Sequence, residues 1–410
     1  MKPVALVSTA IVLASAVAVA FVTQQPATST TSPIPFRVQR LDDGQSETAA
    51  LADVNRDGAI DVVSSDSWYA APTWTKRPIR TIPFTNGYVD NFSDLAVDVN
   101  GDGFVDVVQI AYFARRIAWV QNPGPAGGPW TAHDIEAIGP TEFAFLVDLN
   151  NDGRALELLP QFTGAAKAPL TWYELQNGQW TRRVVATQSY GHGIGSGDLN
   201  GDGRADILTP QGWLEAPADV RAPGVWTFHA TDWLQPRIPI GRPPVPTVGP
   251  EAAAPGPAAP PLRVEFGFMH VADLNEDGRK DVLTSMAHSF GVLWFEQRAD
   301  GTWAQHLIDN TWSRGHASVL ADLNGDGRVD FVTGTRLAGR NAVETEPLAM
   351  YWYEYRPGPT VSWTRHAISL GGEAGGGLQI AAGDLDGDGD VDLVSGGKSG
   401  VFLYESLRRR

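Results

Sequence analysis

The sequence contains no cysteine among its 410 residues, and it has only 31 lysine and arginine residues against 47 aspartate and glutamate residues. Without cysteine, neither a disulfide nor a cysteine-linked lipid can rigidify or anchor the chain, so a stable exported domain must depend on packing or on bound metal. The net charge of −16 argues against binding to nucleic acid or to an anionic membrane surface. The chain also lacks a GxSxG motif, an HExxH motif, a phosphate-binding loop and a Ser/His/Asp order, so no catalytic motif assigns an activity.

Long apolar runs are scarce too, and the one that exists is N-terminal. Residues 1–22 read MKPVALVSTAIVLASAVAVAFV, a single lysine followed by small apolar residues, with AVA at 18–20 before a polar stretch. This pattern is typical of a secretory signal peptide over residues 1–20. Because the run is near the minimum length that spans a bilayer, an uncleaved membrane anchor is the alternative. The sequence therefore predicts a secreted or extracytoplasmic protein, with a Ser/Thr/Pro linker at 21–34 and a folded domain at 35–410.

An acidic ten-residue motif recurs along this domain. It reads DLNGDGRVDF at 322–331, and related copies begin at Asp53, Asp98, Asp148, Asp198, Asp273 and Asp384. A repeat period of about 50 residues indicates stacked supersecondary units. The third copy, DLNNDGRALEL, is imperfect, because Leu156 takes the ninth position and Glu157 follows it.

Each copy is followed by an apolar strand, by an aromatic strand such as WYE at 352–354, and by a Trp-led strand such as WTRHAI at 363–368. Four short strands per unit with two-residue alternation predict an all-β blade, and seven units predict a seven-bladed β-propeller. The chain ends on VFLYE at 401–405 without a fourth strand, so FRVQRL at 36–41 is predicted to supply it and close the ring. The Pro/Ala-rich stretch 239–261 is predicted to be an exposed insertion.

The acidic motif has the pattern of a calcium loop. Oxygen ligands at positions 1, 3, 5 and 9, with glycine at position 6, suit a hard cation of high coordination number, and Ca²⁺ fits better than Mg²⁺ or Zn²⁺. The alternative is an Asx-rich turn without an ion, but repulsion among so many carboxylates argues against it. Up to seven sites follow, the third weakest because Glu157 is predicted to point away from the loop. The predicted ligands are Asp53, Asn55, Asp57, Asp61, Asp98, Asn100, Asp102, Asp106, Asp148, Asn150, Asp152, Asp198, Asn200, Asp202, Asp206, Asp273, Asn275, Asp277, Asp281, Asp322, Asn324, Asp326, Asp330, Asp384, Asp386, Asp388 and Asp392.

With these motifs, residues 36 to about 405 resemble the FG-GAP/VCBS repeat proteins, similar in plan to the propeller of the integrin α-subunit head. The resemblance implies that each acidic loop joins the innermost strand of a blade to its second strand, on the lower face. Members of this family include adhesion modules, lectins and sugar-modifying enzymes. The resemblance therefore implies a fold and a metal, but no single function.

Ionisable residues recur six positions before the first aspartate of four loops. Six strand residues span about 20 Å, so these side chains are predicted at the opposite mouth of the central channel. They are Glu47, Glu142, His192 and His316, while Phe92, Gly267 and Leu378 hold this register in the other units. Second strands are predicted to bring further side chains to the mouth, namely Trp68, Tyr112, Gln161, Gln211, His288, Arg336 and Lys398.

The candidate catalytic residues in this set are His192, His316, Glu47, Glu142, His288 and Arg336. Two histidines beside glutamates can hold a transition metal or act as an acid/base pair, and a hydrated polar channel without chemistry is the alternative. His133, His229, His306 and His366 lie on outer strands and are predicted to have no chemical role. For Trp68, Trp172, Trp213, Trp294 and Trp352, regular recurrence favours packing between blades over stacking on sugars.

Two classes of function fit the sequence. The first is a calcium-stabilised propeller that binds or adheres to a protein or a glycan outside the cytoplasm. The alternative is a carbohydrate-active enzyme of lyase, dehydratase or isomerase type, with its site at the channel mouth.

Overall fold

A computed structural model describes residues 28–31, 33–162, 168–233, 264–337, 346–358 and 360–408. The predicted signal peptide at 1–20, most of the predicted linker at 21–34 and the Pro/Ala-rich stretch at 239–261 lie outside these residues.

The described residues form 31 β-strands and one short 3-10 helix, Gly124–Ala126. Most strands group into seven four-stranded units in chain order. Unit 1 contains β3 (Ala50–Ala52), β4 (Asp61–Ser64), β5 (Ser67–Ala70) and β6 (Thr75–Pro78). A two-stranded ribbon of β7 (Phe84–Thr85) and β8 (Tyr88–Val89) follows, and unit 2 contains β9 (Ser93–Val97), β10 (Asp106–Ala111), β11 (Arg116–Gln121) and β12 (Thr131–Ala137). Unit 3 contains β13 (Thr141–Val147), β14 (Glu157–Phe162), β15 (Leu170–Gln176) and β16 (Gln179–Ala186).

The remaining units follow the same order. Unit 4 contains β17 (His192–Gly197), β18 (Asp206–Thr209), β19 (Gly212–Glu215) and β20 (Thr227–Ala230), and unit 5 contains β21 (Glu265–Ala272), β22 (Asp281–Met286), β23 (Phe290–Gln297) and β24 (Trp303–Ser313). Unit 6 contains β25 (Ser318–Ala321), β26 (Asp330–Gly334), β27 (Ala349–Arg356) and β28 (Ser362–Leu370), with β1 (Thr28–Thr31) added at its edge. Unit 7 contains β29 (Ile380–Gly383), β30 (Asp392–Gly397) and β31 (Gly400–Ser406), completed by β2 (Phe36–Asp42).

The units close into a ring through their first strands. β3 contacts β9 and β29, β9 contacts β13, β21 contacts β17 and β25, and β25 contacts β29. Between units 3 and 4, β17 contacts β14. Four-stranded antiparallel sheets arranged radially with their first strands inside form a β-propeller, which confirms the predicted all-β class.

The predicted number of seven separate blades is wrong. Units 1, 2, 3, 6 and 7 form five separate blades, whereas units 4 and 5 are joined. Units 4 and 5 share one eight-stranded sheet, in which β17 pairs with β21 in parallel. The physical reason lies in the glycines of the sequence HGIGSG: a Cβ atom on Gly195 would lie 1.8 Å from the carbonyl oxygen of Met269, and one on Gly197 would lie 2.7 Å from Cβ of Val271. Because Gly195 and Gly197 have no side chain, β17 can approach β21 closely enough to form backbone hydrogen bonds with it.

The predicted closing strand is confirmed. β2 pairs antiparallel with β31, with Phe36 opposite Ser406 and Val38 opposite Tyr404. The sequence did not predict β1, which lies within the proposed linker and pairs in parallel with β28 of unit 6.

The outer strands show a repeated packing unit. Each of four histidine rings stacks on a third-strand aromatic ring, with centroids 4.1 to 4.4 Å apart, and its Nε2 atom hydrogen-bonds to a carboxylate or amide oxygen two residues further along the third strand. The stacked pairs are His133 with Trp119, His229 with Trp213, His306 with Trp294, and His366 with Trp352. Trp172, Trp294 and Trp352 are buried, which agrees with the packing interpretation.

Removing residues 1–42 should destabilise the protein far more than removing residues 1–33. The longer deletion removes β2 and leaves the edge of β31 unpaired. Several lost hydrogen bonds of about 0.5–1.5 kcal/mol each should lower the free energy of unfolding by on the order of 3 kcal/mol or more. Urea unfolding of both variants measures this, and the shorter deletion is the control because it keeps the buried Ile34. Equal midpoints would show that β2 does not close the ring.

Candidate functional site

Three ionisable side chains meet where first strands begin at the channel mouth. Glu142 is the second residue of β13, His192 is the first residue of β17, and His316 lies just before β25. In β13 the pairing register shifts between Thr141 and Phe143, which leaves Glu142 at a bulge. A bulge re-aims the side chain of its extra residue, and here it accompanies the placement of Glu142 beside the two histidines.

Glu142 accepts hydrogen bonds from both histidines. Its Oε2 lies 2.9 Å from Nε2 of His192, and its Oε1 lies 3.1 Å from Nε2 of His316. His288, between β22 and β23, adds a third imidazole, because its Nε2 lies 3.2 Å from Nε2 of His192. The carboxylate and the three imidazoles therefore form one cluster, with ligand atoms within 4.8 Å of one another.

Arg336 connects this cluster to Glu47. Its Nη1 donates to Oε1 of Glu142 at 2.9 Å, and its Nε lies 3.6 Å from Oε2 of Glu47. Lys398 lies on the other side of Glu47, with 2.8 Å between Nζ and Oε1. All six candidate catalytic residues of the sequence thus belong to one continuous network.

The charges of the network are set by burial and by mutual contact. Burial raises the pKa of Glu142, but the charges and hydrogen bonds of His316 and His192 outweigh it and hold that pKa well below its usual value. Burial lowers the pKa of His192, yet the hydrogen bond and charge of Glu142 raise it above its usual value. Burial dominates at His316 and lowers its pKa well below the usual value. The pKa values of His192 and His316 are therefore shifted in opposite directions, although both imidazoles contact the same carboxylate.

A cavity of about 540 Å³ opens beside this cluster. Four aromatic rings form one of its walls, with Tyr112 stacked on Phe92 at 5.1 Å and Phe113 edge-on to Tyr112 at 5.1 Å. Tyr88 completes the wall, 5.8 Å from Phe92. Tyr112 and Phe113 are half-buried, so part of each ring faces the cavity. The mouth thus combines an aromatic wall with a cluster of charged side chains.

A second cavity of about 850 Å³ shares His192 with the first one and is also lined by Asp232 and Val264.

The structure confirms part of the predicted mouth and corrects the rest. Tyr112, His288 and Arg336 line the aromatic cavity, as does Phe92 from the first-strand register. Gln161 is buried and donates to the carbonyl of Gly191, whereas Gln211 and Lys398 line neighbouring cavities. The placement of Trp68 is wrong, because it lies on the third strand of its unit, β5, and packs beside Val63.

Two of the three histidines in the cluster are buried rather than hydrated. His316 is fully buried and His192 is 8% exposed, whereas His288 is exposed. The sequence also missed Tyr88, Phe113 and Arg314 in the cavity wall. They come from connections between and within units, where the repeat has no fixed register.

The acidic loops connect first to second strands in all seven units, as the family resemblance implied. In the loop from Asp53, Oδ1 of Asp53 and Oδ1 of Asn55 both accept from the backbone N–H of Asp57, each at 3.0 Å. Oxygens at positions 1 and 3 therefore converge on one point. Glycine at position 6 is left-handed, with φ of 90° at Gly58 and 83° to 86° in the other loops.

Each closing carboxylate is buried beneath its loop. In the loop from Asp322, Asp330 accepts a hydrogen bond from the backbone N–H of Leu323 at 3.1 Å. Burial, together with the charges of Asp326 and Asp322, raises the pKa of Asp330 to about 8. The same burial raises the pKa to about 6 in Asp106, Asp206, Asp281 and Asp392.

The third loop differs from its prediction. Glu157 points into the loop, where Oε2 accepts from the N–H of Leu149 at 3.1 Å and Oε1 accepts from Nδ2 of Asn150 at 2.7 Å. It pairs with Val147, the register that the closing aspartate holds in the other units. One extra residue has been inserted before the closing acid, so the inference that this loop lacks a closing carboxylate is wrong.

Comparison with known families agrees with this repeat structure. The FG-GAP-like repeat family matches residues 269–333, which include the fifth and sixth acidic loops. The protein is a β-propeller that contains an FG-GAP-like repeat. No curated protein matches the sequence.

Solved structures resemble this FG-GAP propeller only distantly. One is an Agrocybe aegerita lectin that recognises non-reducing terminal N-acetylglucosamine, 16% identical over 79% of this chain and 80% of that chain, with a TM-score of 0.46. Another is virginiamycin B lyase from Staphylococcus aureus, 9% identical over 90% of this chain and 99% of that chain, with a TM-score of 0.47. We draw no functional conclusion from either.

Among the described residues of the FG-GAP propeller, no helix has the length and apolar character needed to cross a membrane.

Replacing Glu157 by alanine should destabilise the propeller by about 1–3 kcal/mol, because the buried N–H of Leu149 would lose its acceptor. Leu156→Asp is the matched change at the neighbouring position, and it should bring no gain in stability, since the closing position is already filled. Urea unfolding of both variants in calcium-free buffer measures the difference. A stabilising Leu156→Asp together with a neutral Glu157→Ala would contradict this account of the loop.

Proposed function

We propose that this FG-GAP propeller is an exported, calcium-stabilised module that binds a glycan in the cavity at its channel mouth. The observation that carries the proposal is the aromatic wall of Tyr88, Phe92, Tyr112 and Phe113, which lines a cavity of about 540 Å³ together with the polar side chains of Glu142, His288 and Arg336. Export rests on the N-terminal signal pattern of the sequence.

The chemistry of the cavity suits a sugar better than an apolar ligand. A pyranose ring has an apolar face that packs on an aromatic ring and hydroxyl groups that need donors and acceptors. Tyr112 and Phe113 offer such faces. The same cavity is lined by Glu142 and His288, which can accept or donate hydrogen bonds, and by Arg336, whose guanidinium lies over the rings of Tyr88 and Phe92, 5.6 and 5.7 Å from their centroids. The charges in this wall are mutually paired, as in the contact between Arg336 and Glu142, so the cavity does not require a charged ligand.

Replacing Tyr112 by alanine should weaken binding of the glycan by about tenfold, since truncating an aromatic anchor costs more than about 1 kcal/mol. A glycan array probed with the full-length protein in calcium identifies the glycan, and calorimetry gives its dissociation constant. Trp213→Ala is the control, because this half-buried aromatic residue lies on the third strand of unit 4 and stacks on His229 of the outer strand. Equal loss in both variants, or loss only in Trp213→Ala, would move the binding site to the blade edges. An array without binding would favour a protein ligand.

One structural observation supports the proposal that the acidic loops bind calcium. In the seventh loop, carboxylate oxygens of Asp384, Asp386 and Asp388 lie within 4.8 Å of one another on an exposed loop. Like charges at this separation repel, and a divalent cation would neutralise them. In the other six loops, the amide of the asparagine at position 3 donates to the carboxylate at position 5, as Asn55 does to Asp57 at 2.8 Å. These loops hold their shape through internal hydrogen bonds, and calcium would add to that stability.

Chelation should therefore lower the melting temperature without unfolding the protein at room temperature. An ion bound only by the native state contributes about 2.7 kcal/mol per site at a hundredfold excess over its dissociation constant. Calorimetric melting in EDTA measures the loss, and adding back excess calcium should raise the melting temperature again, whereas magnesium should not. An unchanged melting curve, with no calcium in the purified protein by elemental analysis, would show that the loops are only turns.

A carbohydrate-active enzyme is the second candidate, and the buried cluster of Glu142, His192 and His316 favours it. Ionisable groups that are buried beside a cavity and perturb one another are frequent in catalytic sites. The two candidates predict different fates for the glycan found on the array. Chromatography of the glycan after incubation with the propeller distinguishes them, because a binding module releases it unchanged.

A further inference from the structure

Four potential metal-ligating side chains, three imidazoles and one carboxylate, converge in the histidine cluster at the channel mouth. Three contacts between them are close to 3 Å: His192 Nε2 to Glu142 Oε2 at 2.9 Å, His316 Nε2 to Glu142 Oε1 at 3.1 Å, and His288 Nε2 to His192 Nε2 at 3.2 Å. Bonds of about 2.0–2.1 Å in a tetrahedral zinc site separate neighbouring ligand atoms by about 3.3–3.4 Å. The cluster is thus within small side-chain movements of a complete coordination shell.

His192 is held in the orientation that a metal ligand needs. Its Nδ1 donates to the backbone carbonyl of Phe266 at 2.7 Å, which directs Nε2 towards the cluster. A ligating imidazole usually donates its second N–H in this way, because the bond fixes both the ring orientation and the tautomer. Glu142 has a comparable outer partner, since Arg336 donates to its Oε1 at 2.9 Å.

The remaining two rings complete the arrangement. The rings of His192 and His316 are perpendicular, with centroids 5.0 Å apart, and His288 stands edge-on to both at 4.7 and 5.4 Å. In this arrangement the ligand atoms of the three imidazoles and of Glu142 lie within 4.8 Å of one another. His288 is exposed and lines the cavity, so an ion here would be reached from the cavity side.

We propose that His192, His288, His316 and Glu142 form a binding site for a divalent transition-metal ion. Imidazole nitrogens with one carboxylate suit Zn²⁺ and its first-row neighbours, whereas Ca²⁺ prefers a shell of oxygens such as the acidic loops offer. The site is therefore distinct from the loops in both position and chemistry. It does not depend on the glycan proposal, because the metal is bound by the protein alone.

The test is a zinc titration of the full chain, without a histidine tag, in saturating calcium so that the loops do not compete. Calorimetry should detect one tight equivalent of Zn²⁺, and Co²⁺ should give the visible absorption of a nitrogen-ligated ion. His288→Ala should weaken zinc binding by at least about tenfold, since even outer partners of a metal contribute about 10–100-fold. This ring is exposed, so its removal should leave the fold intact.

Two further variants make the outcome decisive. Glu142→Gln should also weaken zinc binding by at least about tenfold, with circular dichroism and melting used to confirm folding. His133→Ala is the matched control, because this histidine stacks on Trp119 of an outer strand, and it should leave the dissociation constant unchanged. Absence of stoichiometric zinc binding in the wild-type protein, or an unchanged dissociation constant in either site variant, would overturn the proposed site.

Discussion

Closure of the ring is the constraint on which the rest of the structure depends. A four-stranded unit cannot bury both faces of its sheet alone, so each unit is stable only between two neighbours. The ring is completed by β2, which comes from the opposite end of the chain and pairs with β31. Once the ring is closed, the first strands of all units face the channel. Each begins at the mouth and ends in an acidic loop, so one repeat supplies both a mouth residue and a set of oxygen ligands.

Features that recur with the repeat could be predicted from the sequence. The family resemblance of the acidic motif implied the connection between first and second strands, and a fixed offset of six residues from the motif placed Glu142, His192 and His316 at one level of the channel. The structure brings these three side chains into direct contact. The prediction worked because alternation in a strand is strict and the channel gathers equivalent positions from different units.

Features that depend on a departure from the repeat could not be predicted. Tyr88 belongs to a ribbon between units 1 and 2, so no register located it. Units 4 and 5 merge because Gly195 and Gly197 allow close approach, which is evident only once the neighbouring strand is known. Glu157 lies one position later in its loop than the closing aspartate does in the other loops. The two-residue alternation of a strand therefore predicted wrongly that its side chain points away from the loop. Its longer side chain and a shifted loop restore the contact with Leu149.

The cluster around Glu142 has a structural consequence whatever it binds. A buried carboxylate is costly unless it is paired, and Glu142 of unit 3 finds its partners in His192 of unit 4 and in His316 and Arg336 of unit 6. These units come together only in the closed ring, so opening the ring would leave several charges without partners. The same groups that could hold a metal therefore also favour the closed arrangement over alternatives. A divalent ion would replace the histidine hydrogen bonds by shared coordination while Arg336 kept its contact with the carboxylate, so ring closure and metal binding would reinforce each other.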